Sequence, residues 1–247
     1  MTTDYNHISD KYDQTKLSPL RKYVDKYTLF NVLGNVRDKS VIDLACGHGD
    51  YTRLVKSQGA TRVVGVDISK VMIADALSQE EQAPLGIEYR VGDVVDLAQI
   101  GSFDVALAVY LFPYAATRQQ LGGMCRSIYR NLKPGGKLVA AILNPTVTES
   151  ELPGYQKYGV KVVASSGLQD GAAIAASLKI PHGSVELSAY YWSQETYEHI
   201  LKEAGFQKIA WHPMEVPEDA IQQYGQDYWQ TYQTKSLDIV FECYRRL

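Results

Sequence analysis

Val41-Ile42-Asp43-Leu44-Ala45-Cys46-Gly47-His48-Gly49-Asp50 is a short apolar run that ends in small residues and glycines around embedded acids. Val41 to Leu44 suit a buried strand, and the glycines suit a tight turn opening onto a helix. A strand, a small-residue loop and a helix N-terminus together hold the edge of a nucleotide-like cofactor. Which cofactor depends on the residues further along.

Downstream the chain alternates. Ser40–Leu44 is expected as a strand and Gly49–Gln58 as a helix closed by Gly59. Thr61–Val66 is a second strand ending at Asp67, and Ser69 caps a helix over Lys70–Glu80. Ile87–Val91 and Phe103–Val109 are the third and fourth strands. A helix from Arg118 to Leu132 runs into the turn Lys133-Pro134-Gly135-Gly136, and Lys137–Leu143 is the fifth strand. Apolar strands alternating with helices predict an α/β fold, a doubly wound Rossmann-like sheet of seven mostly parallel strands. After Asn144-Pro145 the rhythm breaks into a stretch rich in Gly, Ser and Thr, expected as an inserted substrate cap. Val185–Trp192 alternates like a strand, Ser193 caps the helix Gln194–Ala204, and Gln207–Trp211 and Leu237–Cys243 are the last strands. A helix-like segment surrounds Asp219–Tyr232. Upstream, residues 1–16 show no period, whereas Pro19–Leu33 reads as one amphipathic helix capped by Ser18. The resulting division is 1–34 lid and helix, 35–145 core, 146–192 cap, and 193–247 remainder of the sheet.

A chain of 247 residues can bury a sizeable core. Its net charge of −3 and lack of a basic run argue against nucleic acid as partner. The longest apolar run, Val105 to Tyr114, is too short to span a bilayer. Three scattered cysteines lack metal-ligand spacing and fit a reducing, cytoplasmic compartment. Eighteen tyrosines against five phenylalanines suit a pocket for a polar aromatic ligand, although half-buried surface positions account for most of them.

The strand ends carry the chemistry. Asp67 lies roughly twenty residues past Gly47, where an acid takes both hydroxyls of a ribose. A dinucleotide loop requires a third glycine and a helix N-terminus open to a pyrophosphate. Here the third glycine is missing and Asp50 would repel a diphosphate. With Gly92-Asp93 at the third strand end, the pattern fits a phosphate-free nucleoside with a cationic tail, S-adenosylmethionine.

From Lys39 to Leu143 the chain resembles the class I S-adenosylmethionine-dependent methyltransferases. The resemblance is carried by Asp43-Leu44-Ala45-Cys46-Gly47-His48-Gly49, Gly65-Val66-Asp67-Ile68-Ser69, Gly92-Asp93 and Leu132-Lys133-Pro134-Gly135-Gly136. Lys157-Tyr158-Gly159-Val160, Tyr191-Trp192-Ser193 and Ala204-Gly205-Phe206 resemble a narrower group, the methyltransferases of toxoflavin biosynthesis. The resemblance implies that Ala45, Gly47 and Gly49 let the backbone approach the cofactor and that Asp43 orients the loop or the ammonium group. It implies Asp67 on the ribose diol, Ile68 and Met72 on the adenine faces, and Asp93 with Val94 at the adenine edge. Val109 and Tyr110 would lie beside the sulfonium, with Tyr12 closing over the methionine end and Arg21 meeting its carboxylate.

Methyl transfer is an in-line displacement that needs alignment and exclusion of water; a general base is required only for a nucleophile that cannot lose its proton unaided. The fourth strand ends in Tyr110-Leu111-Phe112-Pro113-Tyr114, without the oxygen ligands of a metal site, and it lacks the leading amide or acid of an amino-methylating motif. The expected partner is therefore a small-molecule acceptor, with no metal, nucleic acid or membrane, and the chain a monomer or homodimer. Tyr5, Phe112, Tyr114, His182, Tyr190 and Trp192 are the candidate substrate walls, and His182, His7 and Tyr114 the candidate catalytic groups. Nitrogen of a heteroaromatic metabolite is the favoured acceptor atom. C- or O-methylation of a natural-product or prenyl-type acceptor, a non-catalytic cofactor-binding subunit and a nicotinamide dehydrogenase are the alternatives.

Overall fold

The N-terminal stretch, which shows no sequence period, forms helix α1 (Tyr5–Gln14). It gains its apolar contacts from outside: Tyr5, Ile8 and Tyr12, at steps of three and four, pack on Ile180, Val185 and Leu187. Tertiary packing, more than local propensity, explains a helix of such polar sequence. A computed structural model describes residues 5–164 and 166–247; the side chains of Asn6, His7, Ser9 and Asp10 lie outside the described residues.

The helix expected over Pro19–Leu33 has two windings. Leu20–Asp25 is π-helical and Lys26–Leu33 is α2, ended by Gly34 at φ +71°. The wider turn brings Arg21 and Asp25 inside, where a uniform 3.6-residue period would leave them beside the apolar stripe. The alternating core then follows: β1 (Ser40–Leu44), α3 (Asp50–Ser57), β2 (Arg62–Asp67), α4 (Lys70–Gln82), β3 (Glu88–Val91), β4 (Phe103–Val109), α5 (Arg118–Asn131) and β5 (Leu132–Leu143). Ser69 Oγ accepts from Met72 N–H at 3.2 Å, the expected cap of α4. The anticipated turn at 133–136 lies within β5, whose register with β4 shifts there.

The stretch after β5 is more regular than its composition suggests. β6 (Val160–Ala164), β7 (Ala173–Ile180) and β8 (Gly183–Tyr190) form an antiparallel three-stranded sheet. The chain returns through α6 (Gln194–Ala204), β9 (Phe206–Pro213), α7 (Glu218–Tyr224), α8 (Gln226–Thr234) and β10 (Asp238–Arg245). The single segment expected around Asp219–Tyr232 is thus two helices, broken at Gly225 with φ +85°.

The main sheet has seven strands in the order β3-β2-β1-β4-β5-β10-β9. The pairs from β3 to β5 are parallel, and β10 is antiparallel to both β5 and β9. The fold is α/β with a mostly parallel sheet, as expected. Strand order reverses at β1 and β4, and such a switch point opens a crevice at the strands' carboxyl ends. β1 and β4 are almost wholly buried, so the crevice has a rigid floor.

Much of the tyrosine excess is structural. Tyr158 stacks on Trp229 with centroids 5.4 Å apart, and Tyr228 and Tyr232 meet the Tyr158 ring edge-on. Tyr158 Oη donates to the Tyr228 carbonyl at 2.8 Å, and Trp229 Nε1 donates to that of Ala220 at 2.9 Å. This seam fastens the 3-10 turn before β6 to α7 and α8. Replacing Trp229 by Ala should cost about 3–5 kcal/mol, read as a lowered midpoint in urea unfolding; an unchanged midpoint would deny the seam that role.

Candidate active site

Beyond the carboxyl ends of β1, β2 and β4 lies a cavity of about 410 Å³. Asp67 at the end of β2 anchors its floor. Its Oδ2 accepts the Gly47 N–H at 2.9 Å and its Oδ1 accepts that of Ser69 at 2.8 Å. Burial raises its pKa, while these N–H donors and His48 pull it back. Each oxygen keeps lone-pair capacity toward the cavity. Ile68, directly after it, stands 64% exposed at the rim opposite buried Met72. A Cβ built on Gly47 would point at Met72 Sδ, 4.0 Å away, so the bare glycine leaves that edge open.

The residues implied by the sequence are mostly gathered here. Tyr12, Ala45, Gly47, Asp67, Ile68 and Met72 line this cavity, and so do Asp93, Val94, Val109 and Tyr110. Asp93 Oδ1 accepts from Val95 N–H at 2.9 Å, which fixes the loop after β3. Ser69 and Gly92, which fall inside the glycine-and-acid motifs, also line it, and so do Leu111, Gln120 and Met124, which no motif marks.

Three expected cofactor residues, Arg21, Asp43 and Gly49, lie outside this lining. Asp43 is buried beneath the loop, where its Oδ2 accepts from Thr52 Oγ1 at 2.6 Å and fastens α3 to β1, away from the lining of this cavity. Gly49 is an α3 cap at φ +87°, and an added Cβ would strike the Tyr89 ring; packing, not approach to a cofactor, demands glycine there.

A second cavity, of about 110 Å³, lies between the ends of β4 and β5 and the three-stranded sheet of β6 to β8. Tyr12, Tyr110 and Tyr114 line both cavities and form their common wall. Tyr5 stands edge-on to Tyr12 and Tyr114, with centroids 5.1 and 5.7 Å away, and its hydroxyl bonds that of Tyr114. Burial raises the Tyr114 hydroxyl well above the usual tyrosine range. Arg21 is set into the same wall: its Nη2 donates to Tyr12 Oη at 3.2 Å and its guanidinium lies 4.8 Å from the Tyr110 centroid. It also lines a third cavity, of about 70 Å³, beside Lys16, Lys26, His48 and Asp50.

The outer substrate candidates separate. Phe112 is fully buried against Tyr197 and Phe241, on the far face of the sheet. Tyr110 takes a left-handed φ of +57°, and the following 3-10 turn sends Phe112 away from the cavities and Tyr114 toward them. Trp192 is likewise core, its Nε1 donating to the Ala115 carbonyl at 2.9 Å. Leu187 and Ala189 of β8 line the second cavity, so Tyr190, one step on, faces away by the two-residue period of a strand. His182 is exposed at the β7–β8 turn and lines none of these cavities. His7 lies on α1, and its side chain is outside the described residues. Asp25 and Asp238 do line the second cavity, although no motif marks them.

A methyltransferase-domain family profile matches residues 41–136. The chain is 30% identical to N-demethylindolmycin N-methyltransferase of Streptomyces griseus over 68% of its length and 70% of that protein's. It is 28% identical to demethylmenaquinone methyltransferase of Lactococcus lactis over 82% of its length and 80% of the relative's. An S-adenosylmethionine-dependent methyltransferase structure from Mesorhizobium loti shares the fold, with a TM-score of 0.66 and 17% identity over 94% of this chain and all of that one. The chain belongs to the S-adenosylmethionine-dependent methyltransferases. Its cofactor is S-adenosylmethionine. A paired acid and amide floor, a glycine-open edge and an apolar residue bared at the rim fit a nucleoside without phosphate.

Asp43 gives a pH test. Burial lifts its carboxyl to about 7 from 3.8. The folded chain therefore keeps a proton that the unfolded chain has lost across that window, and stability falls as pH rises through it. At about 1.4 kcal/mol per tenfold change in acidity, the group should remove on the order of 4 kcal/mol by neutral pH. In denaturant titrations Asp43→Asn should match the unmodified chain near pH 4 and exceed it near pH 7. A pH-independent difference would contradict the buried assignment.

Proposed function

We propose that the chain transfers a methyl group from S-adenosylmethionine to a nitrogen of a small heteroaromatic acceptor held in the second cavity. The observation that carries this reading is that Tyr12, Tyr110 and Tyr114 line both cavities, so the two adjoin at these three residues. When bound, the cofactor supplies an electrophilic methyl group on a sulfonium. Asp67 holds the ribose diol, Ile68 and Met72 cover the adenine faces, and Asp93 with the Val94 backbone meets the adenine edge. Arg21 binds the carboxylate of the methionine end, and the tyrosines exclude water and align the acceptor. Residues 146–192 form the cap, with the inward faces of β6 to β8 as the acceptor's apolar bed.

The nitrogen preference is supported by the N-methyltransferase relative from S. griseus and by the acids in the second cavity. The narrower likeness to the toxoflavin type, in Lys157-Tyr158-Gly159-Val160 and Tyr191-Trp192-Ser193, points the same way. A second reading, a quinone-like acceptor methylated at carbon or oxygen, is supported by the demethylmenaquinone relative and by the apolar wall of Val162, Ile174 and Leu187.

Incubation with methyl-labelled cofactor and a panel of heteroaromatic amines, phenols and quinones separates the two. Label on nitrogen is expected, and label confined to phenols or quinones would reject the nitrogen reading. For the cofactor side, Asp67→Ala should weaken S-adenosylhomocysteine binding at least about tenfold in calorimetry, the scale of losing charge-assisted hydrogen bonds. Unchanged affinity would remove Asp67 from the site.

A further inference from the structure

The second cavity has two unlike ends. Val162, Ile174, Ala176 and Leu187 of the three-stranded sheet give it an apolar side. Opposite stand Arg21, Asp25, Tyr110 and Asp238, from the π-helical turn, the end of β4 and the start of β10. Tyr110 Oη donates to Asp25 Oδ2 at 3.1 Å, and Arg21 Nε lies 3.7 Å from that same oxygen. Tyr232 Oη donates to Asp238 Oδ2 at 3.4 Å. Asp25 Oδ1 differs from these: it is buried and has no hydrogen-bond partner among the described residues. The Asp25 side chain as a whole is only 3% exposed. A carboxylate oxygen kept from water without a donor is costly, and burial accordingly raises the Asp25 pKa against the opposing pull of Arg21 and Tyr110.

We propose that the Asp25–Asp238 pair recognises the nitrogen end of the methyl acceptor, so that the second cavity takes a flat apolar molecule carrying an amine or ring N–H. The proposal rests on the second cavity being the acceptor site. Two carboxylates facing one guanidinium leave an acidic excess that a cationic or N–H-donating group balances and a carboxylate group worsens. A quinone oxygen would set a further acceptor against the two acids that line the cavity. Burial and the neighbouring Asp25 charge lift Asp238 to about 8, so the empty site relieves part of its excess by holding a proton. An ammonium group can take over that role, and it passes a proton to the carboxylate pair before its nitrogen lone pair can attack the methyl group.

The test is calorimetry on the full chain saturated with S-adenosylhomocysteine, using 2-naphthylmethylamine, 2-naphthylmethanol and 2-naphthoate. These probes share a ring and differ only in the polar end. The amine should bind at least about tenfold more tightly than the alcohol, the scale of one charge-assisted hydrogen bond, and the carboxylate should bind least. In Asp25→Asn the amine's advantage should fall to about threefold or less. Absence of amine binding, an alcohol or carboxylate that matches the amine, or a preference that survives Asp25→Asn overturns the proposal. If Asp25→Asn also loses S-adenosylhomocysteine, the same comparison in Asp238→Asn decides, and a preserved preference there overturns it. An amine preference with label transferred only to oxygen or carbon would leave the acid pair standing and remove the nitrogen reading.

Discussion

Arg21 is the charge on which the site depends. It lies between the rings of Tyr12 and Tyr110 and beside Asp25, and burial opposes its charge while those three neighbours sustain it. Removing any one of them takes a counterpart from a guanidinium held in a poorly solvated wall. The arginine thereby ties together three distant parts of the chain: α1 through Tyr12, the π-helical turn through itself, and the end of β4 through Tyr110. These same tyrosines line both cavities, so one half-buried ion holds two residues of their shared lining.

The shared lining is built on backbone that is not relaxed. Ala45 after β1 and Tyr110 after β4 both take left-handed angles, at φ +61° and +57°. Residues with a Cβ avoid this region at a cost of about 1–2 kcal/mol each. Both sit at the switch point and both line the larger cavity. The neighbouring strands hold them there: Cys46 N–H donates to the Val66 carbonyl at 3.1 Å, and Tyr110 N–H to that of Ala141 at 2.8 Å. Strain located where the chain leaves two buried strands is a way to aim side chains that a relaxed turn would send elsewhere.

The core was legible because its signals are local. Strand alternation, the Ser69 and Ser193 caps and the order of acids at the strand ends all follow from residues near one another in the chain. The stretch after β5 is less legible: β7 pairs with both β6 and β8, yet only Val185–Trp192 shows the alternation of a strand. Phe112 and Trp192 misled for a related reason, since an aromatic residue near a strand end can face either side of the sheet. His182 looked available because it lies in a loop, and it lies on the outside of one. Asp25 and Asp238 were invisible as a pair. They are more than two hundred residues apart, and the turn that buries Asp25 breaks the helical period that would have revealed its face.

The central claim is that a methyl donor and its acceptor meet across the Tyr12–Tyr110–Tyr114 wall. A crystal structure of the chain with S-adenosylhomocysteine tests it most directly. The account predicts adenosine between Ile68 and Met72, the ribose on Asp67, and the sulfur facing the tyrosine wall toward the second cavity. Adenosine bound outside the larger cavity, or a sulfur directed away from that wall, would contradict it.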